Sequence, residues 1–138
     1  HRGLLLMRQE ALETLLAKIR DCGLQAATHA IGDLANRLVL DGYAKVLGPD
    51  AATSDHRWRI EHAQVVSPKD LPRFAELGVI ASMQPTHATS DMPWAEARLG
   101  AERLRGAYAW RTLKDDGARL ALGSDFPVES VDPRLGLY

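Results

Sequence analysis

Short apolar runs alternate with helical periodicity along the whole chain, and this alternation narrows the available folds more than any other feature. Leu12, Leu15, Leu16 and Ile19 recur at helical spacing, and Gly23 supplies a C-terminal stop. Residues 24–29 read as a short buried strand ending in His29. A second helix follows, with Asp33 as N-cap, Leu34, Leu38 and Val46 turned inward, and Gly48-Pro49 as its stop. Residues 57–62 then alternate with period two, the pattern of a half-buried strand.

The second half repeats the scheme. Asp70 as cap places Pro72 in the first turn of a helix, where proline costs no hydrogen bond, and Gly78 ends that helix. Residues 79–83 form the third apolar run. Residues 84–100, holding Pro85, His87, Pro93 and Trp94, read as a long irregular stretch, and loops of that length are usually functional. Residues 101–115 have a helical pattern with Leu104, Tyr108 and Leu113 inward, and residues 119–124 give a fourth strand. Strand–helix alternation of this kind predicts an α/β fold with a parallel sheet and covering helices. A complete (β/α)8 barrel takes about 250 residues, so four strands amount to a partial TIM barrel. The competing doubly wound sheet wants a glycine-rich phosphate loop after an early strand, and the sequence has none.

Composition excludes several function classes. The 138 residues are 46% apolar and 25% charged, enough for one domain with a real core. The net charge of −1 is spread along the chain, so no basic stripe invites nucleic acid or an anionic membrane. No apolar stretch approaches the ~20 residues of a membrane span. The single Cys22 rules out an internal disulfide; it reads as a buried thiol and fits a reducing, cytoplasmic setting. His56 lies in a polar connector and reads as solvated. The chain opens on His1 and stops soon after Asp125, which suggests a piece of a longer protein, the C-terminal half of a catalytic barrel.

Three side chains stand out by position. His29, His62 and Asp125 each close an apolar run just before loop residues. In α/β barrels the reacting groups project from the C-terminal strand ends, whereas the opposite rim serves stability. Two imidazoles and a carboxylate suit Zn²⁺ or another divalent first-row ion with a position left for water. Asp125 is the candidate to accept a proton from that water and return it to a leaving group. Gln84 and His87 lie beyond the third strand, and Trp94 sits over the predicted site as a candidate pocket wall. Trp58 and Trp110 read as core.

The strings His-Ala-Ile-Gly-Asp (29–33), Glu-His-Ala-Gln (61–64), Ser-Met-Gln-Pro-Thr-His (82–87) and Gly-Ser-Asp-Phe-Pro-Val (123–128) occur in this order. They resemble the metal-dependent amidohydrolase superfamily, and within it the YtcJ-like branch that includes N-substituted formamide deformylases. The resemblance implies that His29, His62 and Asp125 are metal ligands after the fifth, sixth and eighth barrel strands. It places Gln84 and His87 after the seventh strand, with His87 facing substrate, and gives Asp33 and Glu61 supporting or capping roles. The family's first-strand His-x-His pair and its carboxylated lysine have no counterpart here, because Lys18, Lys45, Lys69 and Lys114 all fall in or beside predicted helices.

The expectation is therefore a hydrolase of carbon–nitrogen bonds in a small-molecule amide or formamide, using one or two divalent ions, zinc first, and inactive as an isolated half. Its expected partners are the remaining half of the barrel or a second copy. The alternative is a metal-free interaction module that keeps the barrel framework without activity.

Overall fold

The computed structural model describes residues 3–137. Four strands, β1 (Ala27–Ala30), β2 (Arg59–His62), β3 (Ile80–Met83) and β4 (Arg119–Leu122), form one sheet in the order β1-β2-β3-β4. All three pairings are parallel. Helix α1 (Gln9–Asp21) precedes the sheet, α2 (Asp33–Leu47) joins β1 to β2, and α3 (Pro72–Glu76) joins β2 to β3. Three helices, α4 (Pro85–Asp91), α5 (Ala95–Leu104) and α6 (Trp110–Asp115), lie between β3 and β4. Sequential parallel strands with helical crossovers are the predicted partial barrel. No helix among the described residues is long and apolar enough to cross a membrane.

Register decides which side chains meet the helices. Ala30, Ile60, Ala81 and Met83 are buried beneath them together with Leu16, Leu40, Tyr43, Trp58, Phe74 and Leu113. Each large apolar side chain in this layer contributes about 1.5–3 kcal/mol on burial. The Tyr43 hydroxyl lies 2.7 Å from Thr28 Oγ1 and 2.8 Å from the Arg59 carbonyl oxygen, tying α2 across β1 and β2. The opposite face carries Ala27 and His29 of β1 in register with Arg59 and Glu61 of β2, then Ile80 and Ser82, then Arg119 and Ala121. On that face Ala27, His29, Arg119 and Ala121 are exposed.

Several local expectations fail for identifiable reasons. Helix α2 starts at Gly32 as N-cap, so Asp33 is its first residue, and Leu34 faces outward. Its inward residues are Asn36, Val39, Leu40, Tyr43 and Val46. Asp70 does not cap α3, whose N-cap is Leu71. It is buried instead, with Arg37 at 2.8 Å and Arg73 at 3.1 Å joining α2 to α3. The stretch 84–100 is mostly helical, because Pro85 occupies the first helical position of α4, a site where its missing N–H is no loss.

The long helix expected over 101–115 is broken between α5 and α6. A Cβ on Gly106 would stand 1.8 Å from the Val66 carbonyl oxygen, so the chain there must leave the helix to pair with the segment after β2. That pairing comprises Val66 N–H to Gly106 O at 2.9 Å and Tyr108 N–H to Gln64 O at 2.8 Å. Cys22 is exposed, at the C-cap of α1, rather than buried. His56 is half-buried rather than solvated: Nδ1 accepts the Trp58 N–H at 2.8 Å, which leaves Nε2 to donate to Leu77 O at 2.8 Å. Trp58 is core as expected, and Trp110 is partly buried, packed against the core cluster.

Candidate metal centre

The C-terminal ends of the four strands gather the candidate residues on one rim. His29 is the third residue of β1 and His62 the last of β2, while Gln84 and Asp125 follow β3 and β4. His62 and Ala63 have φ of 77° and 46°, so the pleat ends at the residue that carries the imidazole. Asp125, at φ 56°, leaves the extended region in the same way. Residues other than glycine seldom occupy this left-handed region, and such strain concentrates at functional sites.

The rings of His29 and His62 meet edge to face with centroids 4.4 Å apart. His62 and His87 lie nearly parallel, at 6.0 Å and 11°. His87 Nε2 stands 3.8 Å from Asp125 Oδ2. Among the described residues, His62, His87 and Asp125 each offer a ligand atom within 4.8 Å of the other two. His29 is not part of that trio and touches it through the His62 ring.

Gln84 is buried, and its Oε1 lies 2.9 Å from His62 Nδ1. Its Nε2 faces the Ser82 carbonyl at 3.5 Å, which orients the amide oxygen toward the histidine. The network therefore assigns the His62 proton to Nδ1 and leaves Nε2 as a lone pair. Burial pushes the His62 pKa below its usual value, and the neighbouring His29 pushes the same way against the opposing pull of Asp125. Neutral imidazole is the form that binds a metal.

The donor set fits a divalent cation. His87 Nε2 is buried with no hydrogen-bond partner, which is costly unless a ligand satisfies it. Two nitrogens and a carboxylate match zinc and its first-row neighbours better than calcium or magnesium.

The surroundings add residues that the sequence reading did not single out. Asp91 Oδ2 accepts hydrogen bonds from Gln64 Nε2 and Tyr108 OH, joining α4 to the segments before α6 and after β2. Burial and the Asp91 carboxylate push the Tyr108 pKa up, so its hydroxyl keeps its proton. Ser90 Oγ donates to Glu129 Oε1 at 2.9 Å, fastening α4 to the loop after Asp125. Gln64 lies two residues past His62, inside a string already noted, and was the available clue. Asp33 takes two hydrogen bonds from Arg103 at 2.9 Å, and Glu61 is paired with Arg59. Trp94 is half-exposed on the α4–α5 connection beside Arg98.

The model of the amidohydrolase family matches residues 2–138. The chain belongs to the amidohydrolase family. It is 41% identical over 128 residues to the putative amidohydrolase YtcJ of Bacillus subtilis, covering 93% of this chain and 23% of that one. It is 28% identical over 138 residues to the N-substituted formamide deformylase of Arthrobacter pascens, covering 96% of this chain and 24% of that protein. Among solved structures, an uncharacterized metal-dependent hydrolase from Pyrococcus horikoshii OT3 superposes with a TM-score of 0.85 at 36% identity, covering 98% of this chain and 26% of that one. This amidohydrolase chain thus spans about a quarter of the length of these relatives.

Proposed function

We propose that this amidohydrolase chain supplies part of the catalytic rim of a metal-dependent hydrolase acting on non-peptide carbon–nitrogen bonds, an amide or formamide of a small molecule. His29, His62 and Asp125 would hold the ion, taken to be zinc. The ion would supply Lewis acidity and a nucleophilic hydroxide at neutral pH. The observation that carries the reading is the convergence of donor side chains from separate strand ends, His62, His87 and Asp125, with His29 packed on His62.

The chain's own residues then have separable tasks. Gln84 holds His62 in the tautomer whose Nε2 is free, the usual duty of a partner behind a ligating histidine. Asp125 takes the proton of the attacking water and delivers it to the departing nitrogen. The α4–α5 segment shields the rim, with Trp94 as a wall for the substrate. The name of the deformylase relative supports a formamide, and the coverage of about a quarter of each relative supports the reading that turnover needs the assembled barrel.

Replacing Asp125 with Asn in the full-length protein tests the proton role. Asn keeps one oxygen donor, so the expected result at saturating zinc is a fall in kcat of about 10²–10⁴-fold with the site still filled, measured by elemental analysis beside steady-state kinetics. Full turnover by the variant removes Asp125 from proton transfer. A folded wild-type protein indifferent to chelator and to added zinc favours the metal-free interaction module instead.

A further inference from the structure

We propose that His87 is itself a metal donor, its Nε2 bound to the same ion as His62 and Asp125; this rests on the metal-dependent reading above. Sheet order supplies the first argument. Strands β2, β3 and β4 are consecutive neighbours, so the groups at or beyond their ends, His62, His87 and Asp125, stand side by side. His29 belongs to β1, three positions from β4, and reaches the group through the His62 ring.

Distance supplies the second. At 3.8 Å, His87 Nε2 and Asp125 Oδ2 are too far apart for a hydrogen bond. Two donors each about 2.1 Å from one tetrahedral cation stand roughly 3.4 Å apart, close to what is found. The third argument is the unsatisfied nitrogen. The His87 side chain is only 12% exposed, and Nε2 has no partner in the protein. A residue that merely contacted substrate would not need an unpartnered nitrogen held 3.8 Å from the Asp125 carboxylate.

Local structure explains how the ring is delivered. Gln84 caps α4 and Pro85 opens it, which puts His87 on the first turn with its N–H on Gln84 O at 3.2 Å. One short segment thereby orients His62 through Gln84 and places His87 in parallel with it.

The test is titration of the metal-stripped full-length protein with Co²⁺ alone, followed by its visible absorption. Wild type is compared with His87→Ala, the better-filling His87→Gln, His62→Ala and His29→Ala, with near-ultraviolet circular dichroism confirming the fold. Loss of a ligand is expected to weaken binding in both His87 variants by more than about 100-fold, beyond the 10–100-fold of a supporting partner, and to alter the ligand-field bands. A folded His87 variant with wild-type affinity and spectrum overturns the proposal. If that happens while His62→Ala abolishes binding, the metal-dependent reading survives and His87 alone is excluded as a donor. If wild type binds no Co²⁺, both readings fall.

Discussion

Asn36 is fully buried on α2, and its Nδ2 lies 3.2, 3.3, 3.0 and 3.2 Å from the carbonyl oxygens of Ala30, Ile31, Gly32 and Val65. These carbonyls belong to the end of β1, the turn that follows it and the segment after β2, so one amide joins the backbones that carry His29 and His62. Ala30, Ile31 and Gly32 O also accept the backbone N–H of Ala63, Val65 and Asn36, so Asn36→Ala takes from Val65 O its side-chain donor and unties the two segments; a loss of about 1–3 kcal/mol is expected, read as a lower urea midpoint. Asn36 escaped the sequence reading because an asparagine between Ala35 and Arg37 looks like an ordinary outward polar position. That His29, His62 and Asp125 lie at or beyond C-terminal strand ends was legible because each closes an apolar run in the sequence. His87 was read for substrate; only coordinates could reveal that its nitrogen lies unpartnered beside Asp125. Cys22 reads as buried from the usual preference of a free thiol for the interior, whereas the helix end that carries it faces water.

Among elements, the α4–α5 segment is fastened at three places around the rim. Asp91 anchors it to Gln64 and Tyr108, Ser90 to Glu129, and Arg103 to Asp33 at the start of α2. Burial alone would raise the Asp33 pKa, but hydrogen bonds from Arg103 and from the Leu34 N–H outweigh it and hold the carboxyl below 3.8. A depressed carboxylate stabilises the fold above its unfolded pKa and ceases to as pH falls through the lower folded value. The pair is partly exposed, so its worth is at most about 1 kcal/mol. Amide protection of 95–104 should therefore fall below about pH 4 in the wild type. In Asp33→Asn it should be lower at neutral pH and insensitive to that acid step; hydrogen exchange at several pH values checks this, and unchanged protection at neutral pH would remove the anchor. The four strands were readable from period and length. Helices α4 and α5 were not, because Pro85, Pro93 and Gly100 suggest a coil, yet Pro85 begins a helix and Gly100, at φ 75°, only kinks one.

For the molecule as a whole, the sheet has helices on one face and little on the other. Strands β1 and β4 each have one neighbour, and the face bearing Ala27, His29, Arg119 and Ala121 is open. Large apolar side chains such as Leu122, Phe126 and Val128 are also exposed nearby. Unpaired strand edges and uncovered apolar surface promote association. The 138-residue chain on its own should therefore self-associate as concentration rises, seen by light scattering behind a sizing column, and a monomer at all concentrations would refute this. Covering that face also requires a polar complement, since the Arg59–Glu61 ion pair lies on it. The left-handed backbones at His62, Ala63 and Asp125 carry a separate consequence for the protein's evolution. Glycine relaxes each of them, so a library sorted for foldedness alone should drift toward glycine at 62, 63 and 125. Robustness and reactivity would then be traded against each other at these few torsions.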